Sequence, residues 1–218
     1  MHQNLKHRVL LVPCAIFWLI TAFKPHDLEA WALEQLASII CIVLLVRSTK
    51  LTAYSVSALV GATVLFICHT IGTHYTYSLT PYNQFFAQVS GISINGVFGW
   101  ERNHYDRFVH FLYGLVTARL LYEFFISRLT KSSVWAWSLS LNFVLSTSAI
   151  YELMEWAAAV IPAPETGALY LGAQGDIWDA QVDIALASLG SLLAPAIYYL
   201  ELLKDRRRKV RFTVDAEM

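Results

Sequence analysis

Six apolar segments dominate this 218-residue chain, each near the roughly 20 residues that a helix needs to cross a bilayer. They lie at about 8–23, 31–46, 51–73, 105–126, 134–161 and 177–203. A segment exposed to lipid must satisfy its own backbone hydrogen bonds, and no segment alternates with the two-residue period of a barrel strand. We therefore predict an all-α polytopic membrane protein with six transmembrane helices in a single domain, residues 1–203.

The composition agrees with a membrane protein. Hydrophobic residues make up 56% of the chain and charged residues 15%, against roughly 25% charged residues in soluble domains. The cysteines lie in apolar sequence without paired spacing: Cys14, Cys41 and Cys68. This pattern predicts small buried side chains, not disulfides or metal ligands.

Lysine and arginine residues are unevenly distributed among the links between the segments. They are concentrated at the N-terminus, in the links 2–3 and 4–5, and in a basic tail, residues 204–218. The links on the other side hold only Lys24, Arg102 and Arg107. By the positive-inside rule both termini are predicted to be cytoplasmic. The tail is typical of a topology anchor, with an anionic-lipid patch as the alternative, and no nucleic-acid partner is expected.

The longest link, about 74–104, is predicted on the exterior side, opposite the termini. It is rich in aromatic residues and glycine. This composition favours a cap or re-entrant segment at headgroup depth, either an interfacial anchor or a lid over a site.

Acids and histidines of four segments are expected at one membrane depth, near the exterior leaflet. The third segment ends with histidines, the fourth begins with an Asp-x3-His pair, the fifth carries Glu-x2-Glu, and the sixth begins with Asp-x2-Asp-x3-Asp: His69, His74, Asp106, His110, Glu152, Glu155, Asp176, Asp179 and Asp183. The spacings in the fourth, fifth and sixth segments place each of those three sets on one helix face. So many ionisable groups at low dielectric need a compensating partner, and a divalent metal would supply it.

We assign the candidate residues to three roles. The metal ligands, for zinc, manganese or magnesium, are His69, Asp106, His110, Glu155, Asp179 and Asp183. Acid–base groups are His74, Glu152 and Asp176, and a phosphate or carboxylate of a substrate is expected at Arg102 and Arg107.

Other interpretations of these residues stay open. Asp106 and His110 also fit an intrahelical hydrogen-bonded pair, Asp176 also fits a helix N-cap, and each of the first two histidines also fits a packed polar residue. The aspartate spacing resembles the motifs of membrane prenyltransferases, but the chain lacks their second aspartate-rich motif.

Four ordered motifs resemble the YjdF family of bacterial inner-membrane proteins. They are His69-Thr70-Ile71-Gly72-Thr73-His74-Tyr75-Thr76-Tyr77, the stretch 102–111 (RNHYDRFVHF), Tyr151-Glu152-Leu153-Met154-Glu155-Trp156, and the stretch 172–183 (GAQGDIWDAQVD). The resemblance implies a multi-pass protein of the inner (cytoplasmic) membrane. The family has no known function, so no catalytic assignment is carried over.

The leading hypothesis is a metal-dependent hydrolase of a lipid or lipid-linked substrate, although the sequence does not decide that the protein is an enzyme. A proton- or cation-coupled transporter and a non-catalytic scaffold with a structural metal are the alternatives. Membrane lipid is the expected partner, and the sequence does not indicate an oligomeric state.

Overall fold

The computed structural model describes the backbone of residues 2–160 and 174–216, and the side chains of residues 12–157, 160 and 174–204. Eight helices occur in this part of the chain: α1 (His2–Ala22), α2 (Leu28–Ser48), α3 (Val56–His74), α4 (Tyr82–Ser90), α5 (Ile94–Phe98), α6 (Tyr105–Arg128), α7 (Ser133–Val160) and α8 (Asp179–Ala216). No strand is present among the described residues. The all-α prediction is confirmed.

Each of the six predicted segments coincides with a helix. Apart from the end of the last segment, the bounds differ by six residues or fewer, and position 161, the predicted end of the fifth segment, lies outside the described residues. The helix of the sixth predicted segment, α8, continues to Ala216, so the backbone of most of the basic tail is a continuation of α8. The side chains of the tail beyond Lys204 lie outside the described residues.

Four of these helices are long and apolar enough to cross a membrane. They are α2, α3, α6 and the part of α8 from Asp179 to Lys204. A shorter apolar stretch, Val12–Ala22, belongs to α1. The structure thus confirms a polytopic helical membrane protein, whereas the count of six spans stays a prediction.

Helices α6, α7 and α8 pack against one another, and small residues allow α6 and α8 to approach closely. A Cβ atom on Gly114 would overlap the backbone of Ala187, and one on Gly190 would overlap the carbonyl of Phe111. Small residues at a helix interface are typical of membrane proteins, where van der Waals contact drives association. The buried core of this unit is Ala118, Val144, Ala187 and Ala194.

The remaining long helices are joined to this unit through α3, which packs against α6, α1 and α2. A group of polar contacts, here called the Arg119–Glu123 lock, joins the last turns of α6 to the start of α3. Glu123 accepts hydrogen bonds from the backbone N–H of Ser55 at 2.7 Å and from its hydroxyl at 2.6 Å. Arg119 donates to the same carboxylate at 2.8 Å. The opposite ends of α6, α7 and α8 form the candidate site.

Helices α4 and α5 form a cap between α3 and α6. Tyr82 donates a hydrogen bond to the Asn95 side chain at 2.6 Å, and its hydroxyl accepts one from the backbone N–H of His104 at 3.2 Å. The outer surface of the cap is apolar and exposed: Phe85, Phe86, Val89, Ile92, Val97 and Phe98. Such a surface is typical of a segment that rests at the membrane interface.

A candidate metal centre beneath an arginine pair

Three residues of α6 and α8 bring their ligand atoms together at this end. Asp106, His110 and Asp183 each offer one atom, and these atoms all lie within 4.8 Å of one another. Asp106 and His110 stand one turn apart at the start of α6, with Nε2 of the histidine 3.5 Å from Oδ1 of the aspartate. Asp183 enters from the second turn of α8 and is only 2% exposed.

Glu152 of α7 adds a third helix to this group. Its Oε1 lies 3.6 Å from Nε2 of His110, beyond hydrogen-bonding distance. Oε1 of Glu152 and Oδ1 of Asp183 are both buried, and neither has a hydrogen-bond partner among the described residues. Buried carboxylate oxygens are nearly always paired, so these two oxygens are candidate ligand atoms for a cation. The carboxylates of Asp106 and Asp183 and the imidazole of His110 suit zinc or manganese, and Glu152 offers a further carboxylate close to them.

An arginine pair, Arg102 and Arg107, lies beside this group, near the starts of α6 and α8. Asp176 Oδ2 contacts both Arg102 Nη1, at 3.2 Å, and Arg107 Nη2. Asp179 Oδ1 lies 2.8 Å from Arg102 and 3.4 Å from Arg107. The pKa of the Asp176 carboxyl lies below its usual value, first because the Trp178 backbone N–H donates to it and then because Arg107 does. Each arginine is therefore shared between two carboxylates.

His69 lies in a separate hydrogen-bonded group. Its Nε2 lies 2.6 Å from the Ser38 hydroxyl of α2, and its Nδ1 lies 2.5 Å from the Tyr77 hydroxyl. Thr76 and Tyr77 both adopt left-handed backbone conformations, φ 53°, which fold the tyrosine ring back over Gly72. With both ring nitrogens engaged, His69 has none free for a metal in this arrangement.

The other predicted acid–base and ligand residues occupy different surroundings. His74 places its Nδ1 2.8 Å from the backbone carbonyl of Thr21, so this ring lies against α1. Glu155 lies in α7 one turn after Glu152. The structure thus brings together Asp106, His110, Glu152 and Asp183, and gathers Asp176 and Asp179 around the arginines.

Glu34 is a buried acid of this region that the sequence analysis did not select. It is 5% exposed in α2 and accepts a hydrogen bond from the Tyr151 hydroxyl at 2.6 Å. The sequence does contain a feature that could have identified this residue, because Glu34 is the one charged residue in the apolar segment 31–46. A lone acid in a membrane helix is in general buried against a partner.

Most of the chain, not the site alone, is similar to known proteins. A family model described as "Predicted membrane protein (DUF2238)" matches residues 6–204. The chain belongs to this family. The match includes every helix that contributes to the candidate centre.

A relative in Escherichia coli (strain K12), "Inner membrane protein YjdF", is 32% identical over 199 residues, covering 88% of this chain and 90% of the relative. The resemblance to the YjdF family is therefore confirmed. No solved structure gives a significant match to the chain. The relative's name, the family description and the apolar helices agree on a multi-pass protein of the bacterial inner membrane.

Replacing Tyr77 with phenylalanine is expected to weaken the fold without changing metal binding. The change removes the partner of the buried His69 Nδ1, at a cost of about 1–3 kcal/mol. Thermal unfolding in detergent should show a lower midpoint, and metal content should equal that of the unchanged protein. A loss of metal from Tyr77→Phe would instead place His69 among the ligands.

Proposed function

We propose that this protein is a metal-dependent hydrolase of the inner membrane that acts from the exterior side on a lipid or lipid-linked substrate. A divalent ion, zinc or manganese in preference to magnesium, is held by Asp106, His110 and Asp183. One observation carries the proposal: the ligand atoms of these residues all lie within 4.8 Å of one another, and one Asp183 oxygen is buried without a hydrogen-bond partner among the described residues.

The position of Glu152 fits a general base. Its Oε1 lies 3.6 Å from the imidazole of His110, at the edge of the three-ligand group. A bound divalent metal lowers the pKa of its water and polarises the bond that is to be broken. Glu152 would take the proton of that water, while Arg102 and Arg107 hold the substrate. Asp176 and Asp179 would neutralise and position these arginines instead of serving as base and ligand.

A six-span topology with both termini cytoplasmic completes the proposal. It places the candidate centre near the exterior leaflet and the Arg119–Glu123 lock near the cytoplasm. The distribution of lysine and arginine residues supports this orientation.

The arrangement of charges favours an enzyme over a proton or cation carrier. A relay needs ionisable groups along the path through the membrane. Between the candidate centre and the lock, the buried residues described are small or apolar, including Ala118, Val144 and Ala187. Arg119 and Glu123 are already paired at 2.8 Å.

Hydrolysis is tested by incubating the reconstituted protein with bacterial lipid extract and zinc or manganese, and measuring the products by mass spectrometry. Glu152→Gln should slow product formation by about 100-fold or more, because it removes the base while keeping the side-chain size. Glu201→Gln, further along α8 and away from the candidate centre, is the matched control and should retain full activity. No turnover by the unchanged protein with any of the supplied metals, or equal rates for both variants, would contradict the proposal.

A further inference from the structure

The arginine pair has the geometry of an anion-binding site that an internal carboxylate fills. Two guanidinium groups converge on the single oxygen Oδ2 of Asp176. The arginine side chains are only 15% and 17% exposed, whereas that of Asp176 is 29% exposed. Arg107 also keeps a buried Nε without a hydrogen-bond partner among the described residues. The Nε–H of Arg107 is therefore still able to donate to an anion that is larger than a carboxylate.

The backbone that carries Asp176 is held independently of its ion pairs. Gln174 accepts a hydrogen bond from the backbone N–H of Asn103 and donates one to its carbonyl, both at 2.9 Å. A rotation of the Asp176 side chain would release the arginines and break the 2.9 Å bond that its Oδ1 accepts from the Trp178 N–H. The Gln174–Asn103 bonds would stay in place, so the segment would not unfold.

Charge decides which anion fits. Asp179 is 7% exposed at the start of α8 and stays with the arginines when Asp176 leaves. Two arginines with one carboxylate carry a net charge of +1, which matches the single negative charge of a phosphodiester. A phosphodiester also presents two free oxygens to two guanidinium groups, the bidentate pattern that arginine favours.

The position of this site relative to the candidate metal centre suits a substrate. Arg107 follows Asp106 directly in α6, and Asp179 precedes Asp183 by four residues in α8. At 1.5 Å per residue, Asp179 lies about 6 Å from Asp183 along α8. A group bound by the arginines beside Asp179 therefore lies about one helical turn from Asp183.

We propose that Arg102 and Arg107 bind the phosphodiester group of a membrane phospholipid, and that Asp176 occupies their binding position until the lipid displaces it. This inference rests on the proposed function, because it names the substrate class of the same site. Binding of the phosphodiester needs no metal, whereas the proposed hydrolysis does. An experiment can therefore refute either proposal without refuting the other.

The test is a calorimetric titration of the full chain in a neutral detergent with excess EDTA. The probe is dioctanoyl phosphatidylglycerol. Two further ligands identify the source of binding: glycerophosphoglycerol has the phosphodiester without acyl chains, and dioctanoylglycerol has the chains without phosphate. Asp176→Asn removes the competing charge but keeps the acceptor for the Trp178 N–H, and Asp176→Ser provides a second variant.

Asp176→Asn and Asp176→Ser are expected to bind the phospholipid roughly threefold to tenfold more tightly, because the site is no longer occupied by its own carboxylate. Arg107→Gln should lose at least about tenfold, a typical effect of removing one charged hydrogen-bond donor. Arg128→Gln, an exposed arginine at the other end of α6, is the matched control and should bind as the unchanged protein does.

Equal or weaker binding by both Asp176 variants would overturn the inference, provided that their unfolding midpoints show them to be folded. Binding of dioctanoylglycerol as tightly as of the phospholipid would also overturn it. Equal affinity for glycerophosphoglycerol would support the phosphodiester site with a soluble source. If the expected pattern appears in a protein that never binds metal, the hydrolase proposal fails and the anion site stands.

Discussion

Replacing Gly114 with alanine is expected to destabilise the protein severely. The added Cβ would overlap the backbone carbonyl of Ala187, which belongs to α8 and cannot rotate away as a side chain can. Over-packing commonly costs about 1–3 kcal/mol, and this site should lie at or above the upper end because backbone must move. The measurement is thermal unfolding in detergent, followed by circular dichroism.

Gly61→Ala is the matched control for this change. A Cβ atom at Gly61 would lie 3.4 Å from a methyl group of Val116, which is ordinary van der Waals contact. Its unfolding midpoint should stay near that of the unchanged protein. Equal stability of Gly114→Ala and Gly61→Ala would show that α6 and α8 do not pack as closely as described.

Asp183→Asn is expected to abolish tight metal binding. The substitution keeps the size of the side chain but removes the charge of the most deeply buried ligand. Changing residues that merely support metal ligands costs about 10–100-fold in affinity, so the loss of this ligand should exceed about 100-fold. Equilibrium titration with zinc or manganese measures the effect.

Asp27→Asn is the control for charge removal at the same end of the bundle. Asp27 caps the N-terminus of α2 by accepting the Ala30 N–H at 2.9 Å, and asparagine caps helices equally well. Its metal affinity should not change. Unaltered metal binding by Asp183→Asn would remove Asp183 from the ligand set.

Removing the metal is expected to reverse the order of stability of the unchanged protein and the Asp183→Asn variant. Without a cation, the unchanged protein keeps the carboxyl groups of Asp106, Glu152 and Asp183 around one buried site, and Asp183→Asn leaves two of them. Unfolding with EDTA should therefore show the variant to be at least as stable as the unchanged protein. With saturating metal the unchanged protein should be the more stable one.

The helices and the core of the site were predictable because they depend on local sequence periodicity. Apolar segment length located the six helices, and helical spacing placed Asp106 and His110 on one face. Alternating topology then brought Asp183 to the same end as His110 and Glu152. These inferences need no knowledge of loop conformation.

Contacts that depend on loops or on a choice among partners could not be predicted. The Tyr77 hydroxyl reaches His69 because two residues outside any helix have positive φ, which no periodicity encodes. Arg102 was expected to bind a substrate, but it contacts Asp176 and Asp179. Sequence spacing does not show that these two aspartates, and not Asp106, are its partners. Glu34 pairs with Tyr151, 117 residues away.

X-ray absorption at the metal edge tests the central claim most directly. The chain loaded with one equivalent of zinc should show one imidazole nitrogen together with carboxylate oxygens in the first shell. His110→Gln should lose the imidazole signal. A first shell without imidazole, or a spectrum that His110→Gln leaves unchanged, would contradict a metal centre at Asp106, His110 and Asp183.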